Sequence, residues 1–225
     1  MCKNIPERLK NAGEYDPLEN YMDLCRELGG GDPDNPVVPG GSAFADVLPT
    51  DPFFSAVNRA AAQGIVTGYD DGLFHPDHTC SRAQMLTILW RAAGCPEASA
   101  ECPFSDVRSG DYYFDAIRWA YAEGIALGTD IGTFSPHESI TREQAAAFIY
   151  RFAQKQGAGF TGGWSFPLEY ADAATVSTWA DEAVHWCVME HIIPADGDLL
   201  EPQGAASRGE VVMMIMASRD VIYAA

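Results

Sequence analysis

The sequence predicts a mostly α-helical fold in which three helix-loop-helix repeats surround a shared core in a pseudo-threefold arrangement. Apolar residues recur at helical spacing, and the same short motifs return three times at constant separation. The motifs that open the repeats are Phe44-Ala-Asp46, Phe104-Ser-Asp106 and Tyr170-Ala-Asp172. An arginine follows each of these aspartates 36 positions later, as Arg82, Arg142 and Arg208. A spacing kept three times indicates one structural unit used three times.

Length and composition point to a folded protein and exclude several classes of function. The chain has 225 residues, of which 47% are apolar and 11% aromatic, enough to fill a hydrophobic core. Its formal net charge of -18 opposes sequence-independent binding to nucleic acid or anionic lipid. The longest uninterrupted apolar run, residues 211–217, is far below the roughly 20 residues that cross a bilayer. We therefore expect neither a nucleic-acid partner nor a membrane span.

The chain divides into four predicted segments. They are an N-terminal extension with a Gly- and Pro-rich linker (1–43), repeat 1 (44–99), repeat 2 with a linker (100–165) and repeat 3 (166–225), the repeats forming one domain over residues 44–225. In the extension, an amphipathic helix from Pro17 to Leu28 is predicted to offer a docking face for a protein partner or for the repeats, with a semi-ordered tail as the alternative. Residues 1–9 carry charges with no apolar stretch behind them, which is not typical of a secretory signal.

One apolar face predicts the first helix of each repeat. Its residues are Phe53, Val57, Ala60 and Ala61, then Tyr113, Ile117, Ala120 and Tyr121, then Ala180, Val184, Cys187 and Val188. Gly64 and Gly124 follow the first two helices, where a residue with positive φ ends a helix. His191 takes the matching place in repeat 3 and adopts that conformation less easily, which predicts a weakened third cap.

A capping box marks the start of each second helix. A hydroxyl residue is followed three positions later by Gln or Glu, in the pairs Ser81 and Gln84, Thr141 and Gln144, Ser207 and Glu210. Apolar residues at helical spacing come next: Met85, Leu86 and Leu89, then Ala145, Phe148, Ile149 and Phe152, then Val211, Met214 and Ile215. Two helices of about a dozen residues do not bury such faces alone, so we expect the repeats to share one core.

The cysteines leave two questions open. Cys95 and Cys102 bracket a short segment and can close a loop disulfide, whereas Cys80 and Cys187 lie in apolar segments that favour buried thiols. The spacing of His75, His78 and Cys80 is compatible with metal ligation, but no second pair of ligands accompanies them. We therefore expect neither a metal nor a cofactor.

The three repeats resemble S-layer homology repeats, the surface-anchoring module of many bacterial envelope proteins. The resemblance spans residues 44–223 and rests on the Phe-x-Asp-Val opening, the helix ending in Gly-Ile, the Phe-x-Pro segment and the Thr-Arg-Ala-Glu element. That element stands here as Ser-Arg-Ala-Gln, Thr-Arg-Glu-Gln and Ser-Arg-Gly-Glu. The resemblance implies a pseudo-threefold helical assembly at the cell surface. It also implies binding of bacterial secondary cell-wall polysaccharide, often bearing pyruvate ketals, in grooves between repeats.

Arg82, Arg142 and Arg208 are the principal candidates for contact with this ligand. Each follows an N-cap residue, so its guanidinium is expected beside free backbone N–H groups at the positive end of a helix dipole, where a carboxylate would bind. Surface ion pairs with nearby acids are the alternative. Trp90 and Tyr150 can stack on sugar faces, although aromatic residues at helical spacing usually belong to the core. The candidate set is completed by Ser81, Thr141, Ser207, Gln84, Gln144, Gly68 and Gly128.

The predicted grooves are not equivalent. Repeat 3 departs from the pattern at His191, Ala195 and Gly209, so its groove is expected to be the weakest. The grooves that use Arg82 and Arg142 are the better candidates.

Nothing in the sequence indicates catalysis. It contains no nucleophile elbow, phosphate-binding loop or zinc-protease motif, and nothing separates the pKa values of loop carboxylates such as Asp70 and Asp71. The prediction is a non-enzymatic module that binds cell-wall polysaccharide. Two alternatives stay open: an interaction protein that kept the fold and lost the glycan, and a cell-wall-modifying enzyme that uses loop carboxylates.

Overall fold

A computed structural model describes residues 42–98, 100–194 and 197–223 of the chain. The predicted helix from Pro17 to Leu28, the linker before residue 42 and Ala195 lie outside the described residues. Within them the protein is mostly helical, with isolated β-bridges and no strand. The mostly α-helical prediction is therefore confirmed.

The described residues contain six α-helices, two in each repeat. We number them α1 (Phe54–Ala62), α2 (Arg82–Ala92), α3 (Phe114–Ala122), α4 (Arg142–Lys155), α5 (Asp181–Met189) and α6 (Arg208–Tyr223). A short 3-10 segment, Ala173–Thr175, precedes α5. Each predicted helix-loop-helix unit is thus present, with the second helix beginning at the arginine of the capping motif.

The helices of neighbouring repeats pack against each other. Helix α3 packs on α2, α5 on α4, and α1 on α6, so the first helix of every repeat lies against the second helix of the repeat before it. Helix α6 also contacts both α2 and α4. Since α1 closes onto α6, the order of contacts is cyclic.

A ring of backbone hydrogen bonds joins the three repeats just before their second helices. Cys80 N donates to Ala206 O, Ala206 N donates to Ile140 O, and Ile140 N donates to Cys80 O, each at 2.9 Å. This closed cycle is what a threefold arrangement requires, because each repeat gives one bond and receives one. The overall pseudo-threefold symmetry stays a prediction.

One hydrophobic cluster spans all three repeats, as expected. The predicted apolar residues of the second helices are all buried in it. Cys80 and Cys187 are buried thiols, and burial raises the pKa of Cys80 to about 12. Tyr121 is a wrong prediction: 37% of its surface is exposed. Cys102 carries a free thiol, so no disulfide closes the loop after α2.

The ends of the three first helices have one conformation. Gly64 and Gly124 have φ angles of 67° and 68°, and His191 has a φ of 55°. The next residue in each case, such as Ile192, donates its N–H back into the helix, at 2.7 Å to Cys187 O in repeat 3. The third cap therefore has the same geometry as the other two, and the prediction that it is weakened was wrong in this respect. The surrounding bonds hold a non-glycine residue in the left-handed region.

Candidate functional site

All three predicted capping boxes form at the starts of α2, α4 and α6. In the first, Gln84 N donates to Ser81 Oγ at 3.2 Å and Ser81 N donates to Gln84 Oε1 at 2.9 Å. The same reciprocal bonds join Thr141 to Gln144 and Ser207 to Glu210. Two of the N–H groups that a helix start leaves without partners are satisfied in this way.

The next repeat occupies the remaining N–H groups at each helix start. Arg82 N donates to Glu138 O at 2.9 Å, and Ala83 N donates to Pro136 O at 3.0 Å. Helix α4 bonds repeat 3 in the same way, and α6 bonds repeat 1 through Arg208 N and His78 O at 2.9 Å. The expectation of free backbone N–H groups beside the arginines was wrong, because these groups join the repeats to one another.

The Arg82 side chain is buried in the interface between repeats 1 and 2. Its Nε donates to Phe134 O at 3.0 Å, and its Nη atoms lie 3.3 Å from Leu127 O and 3.4 Å from Gln144 Oε1. The guanidinium also lies 4.6 Å from the centre of the Phe134 ring. Burial lowers the pKa of Arg82, and the charges of Glu138 and Asp106 partly offset this effect. All its direct partners are neutral.

The Arg142 side chain is buried between repeats 2 and 3 and has a charged partner. Its Nε donates to Leu200 O at 2.7 Å, and one Nη donates to Pro194 O. The other Nη forms an ion pair with Glu210, the capping-box residue of α6. The positive charge of Arg142 is thus neutralised inside the protein.

The Arg208 side chain, between repeats 3 and 1, is buried like the other two but keeps part of its hydrogen-bonding capacity. Its Nε donates to Phe74 O at 3.1 Å, and the rings of Tyr69 and Phe74 lie 4.6 and 4.7 Å from the guanidinium carbon. Among the described residues, no acceptor bonds its Nη atoms, and these atoms are not sealed from solvent. Gln84, which stands where Glu210 stands beside Arg142, donates instead to Tyr69 Oη at 3.0 Å.

The aspartate that opens each repeat holds a loop in place. A backbone carbonyl of this loop accepts the Nε hydrogen bond of the arginine in the preceding repeat. Asp46 accepts hydrogen bonds from Phe74 N at 2.9 Å and His75 N at 2.7 Å. Asp106 and Asp172 make the same pair of bonds in repeats 2 and 3. The second residue of each bonded pair has a positive φ, at His75, Ser135 and Glu201. Sequence analysis found the aspartates by their spacing but not this function.

Close packing requires glycine at two positions of the predicted site, Gly68 and Gly128, and also at Gly209. A Cβ on Gly68 would lie 2.8 Å from both Leu73 O and Phe44 Cε1, and one on Gly128 would lie 2.4 Å from Thr133 O. A Cβ on Gly209 would lie 2.7 Å from Phe53 Cδ1. Gly209, which the sequence analysis predicted to weaken groove 3, thus makes room for a ring of repeat 1.

The two aromatic candidates have different environments. Tyr150 is 4% exposed, and its Oη donates to Glu182 at 2.8 Å, which places it in the core and not on a sugar-binding surface. Trp90 is half-buried, and its Nε1 donates to Pro96 O at 2.9 Å. Trp90 also lines a cavity.

The histidines near Cys80 do not form a metal centre with it. The His75 and His78 rings stack with their centres 4.4 Å apart, and His75 Nε2 lies 2.7 Å from Asp71 Oδ2. In the part of the chain that the structure describes, no group of three histidine, cysteine or acidic side chains is arranged to hold a metal ion. None of the described helices has the length and apolarity needed to cross a membrane.

Comparison with known proteins identifies the repeats. The S-layer homology domain matches the chain three times, at residues 43–86, 103–146 and 169–212. An endoglucanase of Bacillus sp. (strain KSM-635) is 30% identical over 80% of this chain and 20% of its own length. The surface-layer 125 kDa protein of Lysinibacillus sphaericus is 32% identical over 61% of this chain and 11% of its own length.

A third relative is named for anchoring. The cellulosome-anchoring protein of Acetivibrio thermocellus is 29% identical over 67% of this chain and 34% of its own length. The chain therefore spans about a third or less of each of these three relatives.

Proposed function

The chain belongs to the S-layer homology domain family, a family of cell-surface anchoring modules, and we propose that it attaches non-covalently to the bacterial cell wall by binding an acidic secondary cell-wall polysaccharide. The proposed ligand group is a sugar-borne carboxylate, such as that of a pyruvate ketal. The proposed principal site is the Arg208 groove, formed by Arg208 of repeat 3 with Tyr69 and Gln84 of repeat 1.

The free edge of the Arg208 guanidinium carries this proposal. Its Nε bond to Phe74 O and the rings of Tyr69 and Phe74 fix the plane of the group, while both Nη atoms lack an acceptor among the described residues. A fixed fork can hold a carboxylate through two parallel charge-assisted hydrogen bonds, each contributing about 1.5 to 3 kcal/mol. Because the fork is already oriented, little side-chain entropy is lost on binding.

The other two arginines rank lower in this proposal. Arg82 has only neutral partners, and its contact with Gln144 is long at 3.4 Å, so a carboxylate can compete for it. Arg142 already has the Glu210 carboxylate, which an incoming anion would have to displace. We therefore assign Arg142 a structural role, contrary to the ranking expected from sequence.

The acidic surface makes the proposed recognition short-ranged. A net charge of -18 repels an acidic glycan at long distance, and this repulsion is screened beyond roughly 8 Å at physiological ionic strength. Attachment must then depend on direct contacts in the groove, and moderate salt should strengthen binding or leave it unchanged. Such behaviour would be the opposite of a protein that binds anions through a basic surface.

A wall-binding assay on the full chain tests the proposal. Binding isotherms on purified cell wall should show that Arg208→Gln weakens binding by about tenfold or more. Chemical removal of pyruvate should have a similar effect on the wild type and little additional effect on the variant. The matched control is Arg108→Gln, which changes an exposed arginine outside the groove. Circular dichroism confirms that both variants are folded.

The two alternatives give different results in the same assay. If Arg208→Gln is folded and binds as tightly as wild type, the Arg208 groove is not the site. If the wild-type chain does not bind wall at all, it is a protein-interaction module that kept the fold, a reading favoured by the internal bonds of Arg82 and Arg142. The matched family is an anchoring module and not a catalytic one, so soluble sugar released from the wall would indicate activity outside that role.

A further inference from the structure

A cavity of about 370 Å³ opens between α2 and α3, and none of the three arginines Arg82, Arg142 and Arg208 lines it. Trp90, Glu97, Asp115 and Arg118 contribute to its lining. Trp90 lies eight residues after Arg82 on the same helix, a distance of about 12 Å along the axis. The cavity is therefore a different place from any groove at a helix start.

The lining of this cavity combines one aromatic face with charged hydrogen-bonding groups. The bond from Trp90 Nε1 to Pro96 O fixes the indole ring. Arg118 Nη2 lies 3.3 Å from Asp115 Oδ1, and 31% of the Arg118 side chain is exposed. An indole ring stacks on the C–H face of a sugar, while carboxylate and guanidinium groups exchange hydrogen bonds with neighbouring hydroxyls.

The equivalent place between α4 and α5 shows what fits there. Tyr150, Glu182 and His185 occupy the helix positions of Trp90, Asp115 and Arg118. There the linker between repeats 2 and 3 covers the site with aromatic rings. Its Trp164 ring lies 4.4 Å from the ring of His185 and stacks at 4.9 Å on Phe160, which lies 6.3 Å from Tyr150.

The linker between repeats 1 and 2 brings no aromatic ring to the matching place. Its residues that line the cavity, including Pro96, Glu97 and Ala98, leave the space beside Trp90 open. Among the described residues, the same helix geometry is thus filled by stacked rings at one interface and not at the other. A flat ligand with polar edges would fit where the rings of the second linker fit.

We propose that the cavity lined by Trp90, Asp115 and Arg118 is a second carbohydrate-binding site, which takes a neutral sugar unit. Its volume falls within the range of about 300 to 1,000 Å³ typical of small-molecule sites. Glu97 and Asp115 bring more negative than positive charge, which disfavours an acidic sugar and selects a neutral one. The site uses none of the residues of the Arg208 groove, so the two proposals stand or fall separately.

Nuclear magnetic resonance of the full chain with 15N-labelled tryptophan tests this site. The probes are the methyl glycosides of glucose, galactose, mannose and N-acetylglucosamine. We expect at least one to shift the Trp90 indole N–H resonance saturably, with the resonance assigned from Trp90→Phe. Arg118→Gln should weaken that binding by about tenfold, because it removes a charged hydrogen-bond donor. Arg108→Gln, the matched exposed arginine, should leave it unchanged.

Two further variants separate this site from the proposed anchoring site. Ala98→Trp supplies the ring that the linker lacks and should abolish sugar binding while leaving the polar residues intact. Arg208→Gln should weaken wall binding and leave the sugar-induced shift of Trp90 unchanged. The proposal is overturned if none of the four glycosides shifts the Trp90 resonance, or if both Arg118→Gln and Ala98→Trp bind them like wild type.

Discussion

Arg142 and Arg208 hold the same position in α4 and α6, yet only one of them is neutralised by the protein. Both direct Nε to a backbone carbonyl of the following repeat, Leu200 for Arg142 and Phe74 for Arg208. The Nη atoms of Arg142 then bond Glu210 and a second carbonyl, whereas those of Arg208 bond no described residue. A motif position therefore does not determine whether its guanidinium is available to a ligand.

One part of the difference originates in a capping residue of another repeat. Glu210 caps α6 and at the same time pairs with Arg142 of α4. Gln84, at the same place in α2, is neutral and donates to Tyr69 Oη. Glu210 thus gives Arg142 a carboxylate partner that Gln84 does not give Arg208.

Removing the capping residues should reveal this difference in stability. Glu210→Ala is expected to lower the free energy of unfolding by about 2 to 3 kcal/mol, because it leaves the buried Arg142 without its carboxylate. This loss is smaller than that expected for a fully buried ion pair, because Glu210 is 31% exposed. Gln84→Ala breaks only a capping box and should cost about 1 kcal/mol or less. Urea unfolding measures both. Equal losses of unfolding free energy in the two variants would mean that the ion pair between Arg142 and Glu210 contributes nothing to stability.

Removing the ring above Arg208 should affect binding more than folding. Tyr69→Ala deletes a cation-π partner of the proposed site, worth about 0.5 to 2 kcal/mol, so wall affinity should fall by roughly threefold to thirtyfold. Thr129→Ala, at the matching position of repeat 2, should leave affinity unchanged. Wall-binding isotherms compare the two. An equal loss in both variants would remove the preference for the Arg208 groove.

Acid should loosen the loops that support Arg142 and Arg208. Hydrogen bonds from Leu200 N and Glu201 N lower the pKa of Asp172. Partial burial raises the pKa of Asp46, but the bonds from Phe74 N and His75 N outweigh it and leave that pKa below its ordinary 3.8.

The stability that these carboxylates contribute is complete above pH 3.8 and is lost as the pH falls through their lower native values. Asp46→Asn and Asp172→Asn should each reduce the acid dependence of unfolding. At neutral pH only Asp46→Asn should weaken wall binding, since Asp46 supports the Phe74 carbonyl beside Arg208. Thermal unfolding across pH and wall-binding isotherms test both statements. Equal weakening by Asp172→Asn would show that both grooves bind.

The smallest expected effect compares the helix ends of repeats 1 and 3. Gly64→Ala should lower the stability of the protein by about 1 kcal/mol. The cost comes only from the positive φ, because the added Cβ would meet no atom within 4 Å. His191→Gly should stabilise by up to about 1 kcal/mol, since it relieves the same strain. Thermal unfolding measures both changes. Destabilisation by His191→Gly would show that the imidazole makes a compensating contact.

Local signals predicted the helices and their ends well. The capping boxes at Ser81, Thr141 and Ser207 formed as expected, because both partners of each box lie within one helical turn. The prediction failed where a contact crosses between repeats. Gly209 proved to accommodate Phe53, a neighbour that is distant in sequence. His191 is a different case, because its left-handed conformation is accompanied by local bonds to Val188 O and Cys187 O of its own helix.

The sequence by itself determined that three similar helix pairs exist, where each helix begins, and which residues form their apolar faces. These features follow from periodicity and from bonds between residues three or four positions apart. Only the tertiary structure decided which arginine keeps a free edge and which interface keeps an open cavity. Those properties depend on Glu210 meeting Arg142 and on Trp164 covering His185. Contacts of that kind are fixed by how the repeats close on one another, not by the spacing of residues along the chain.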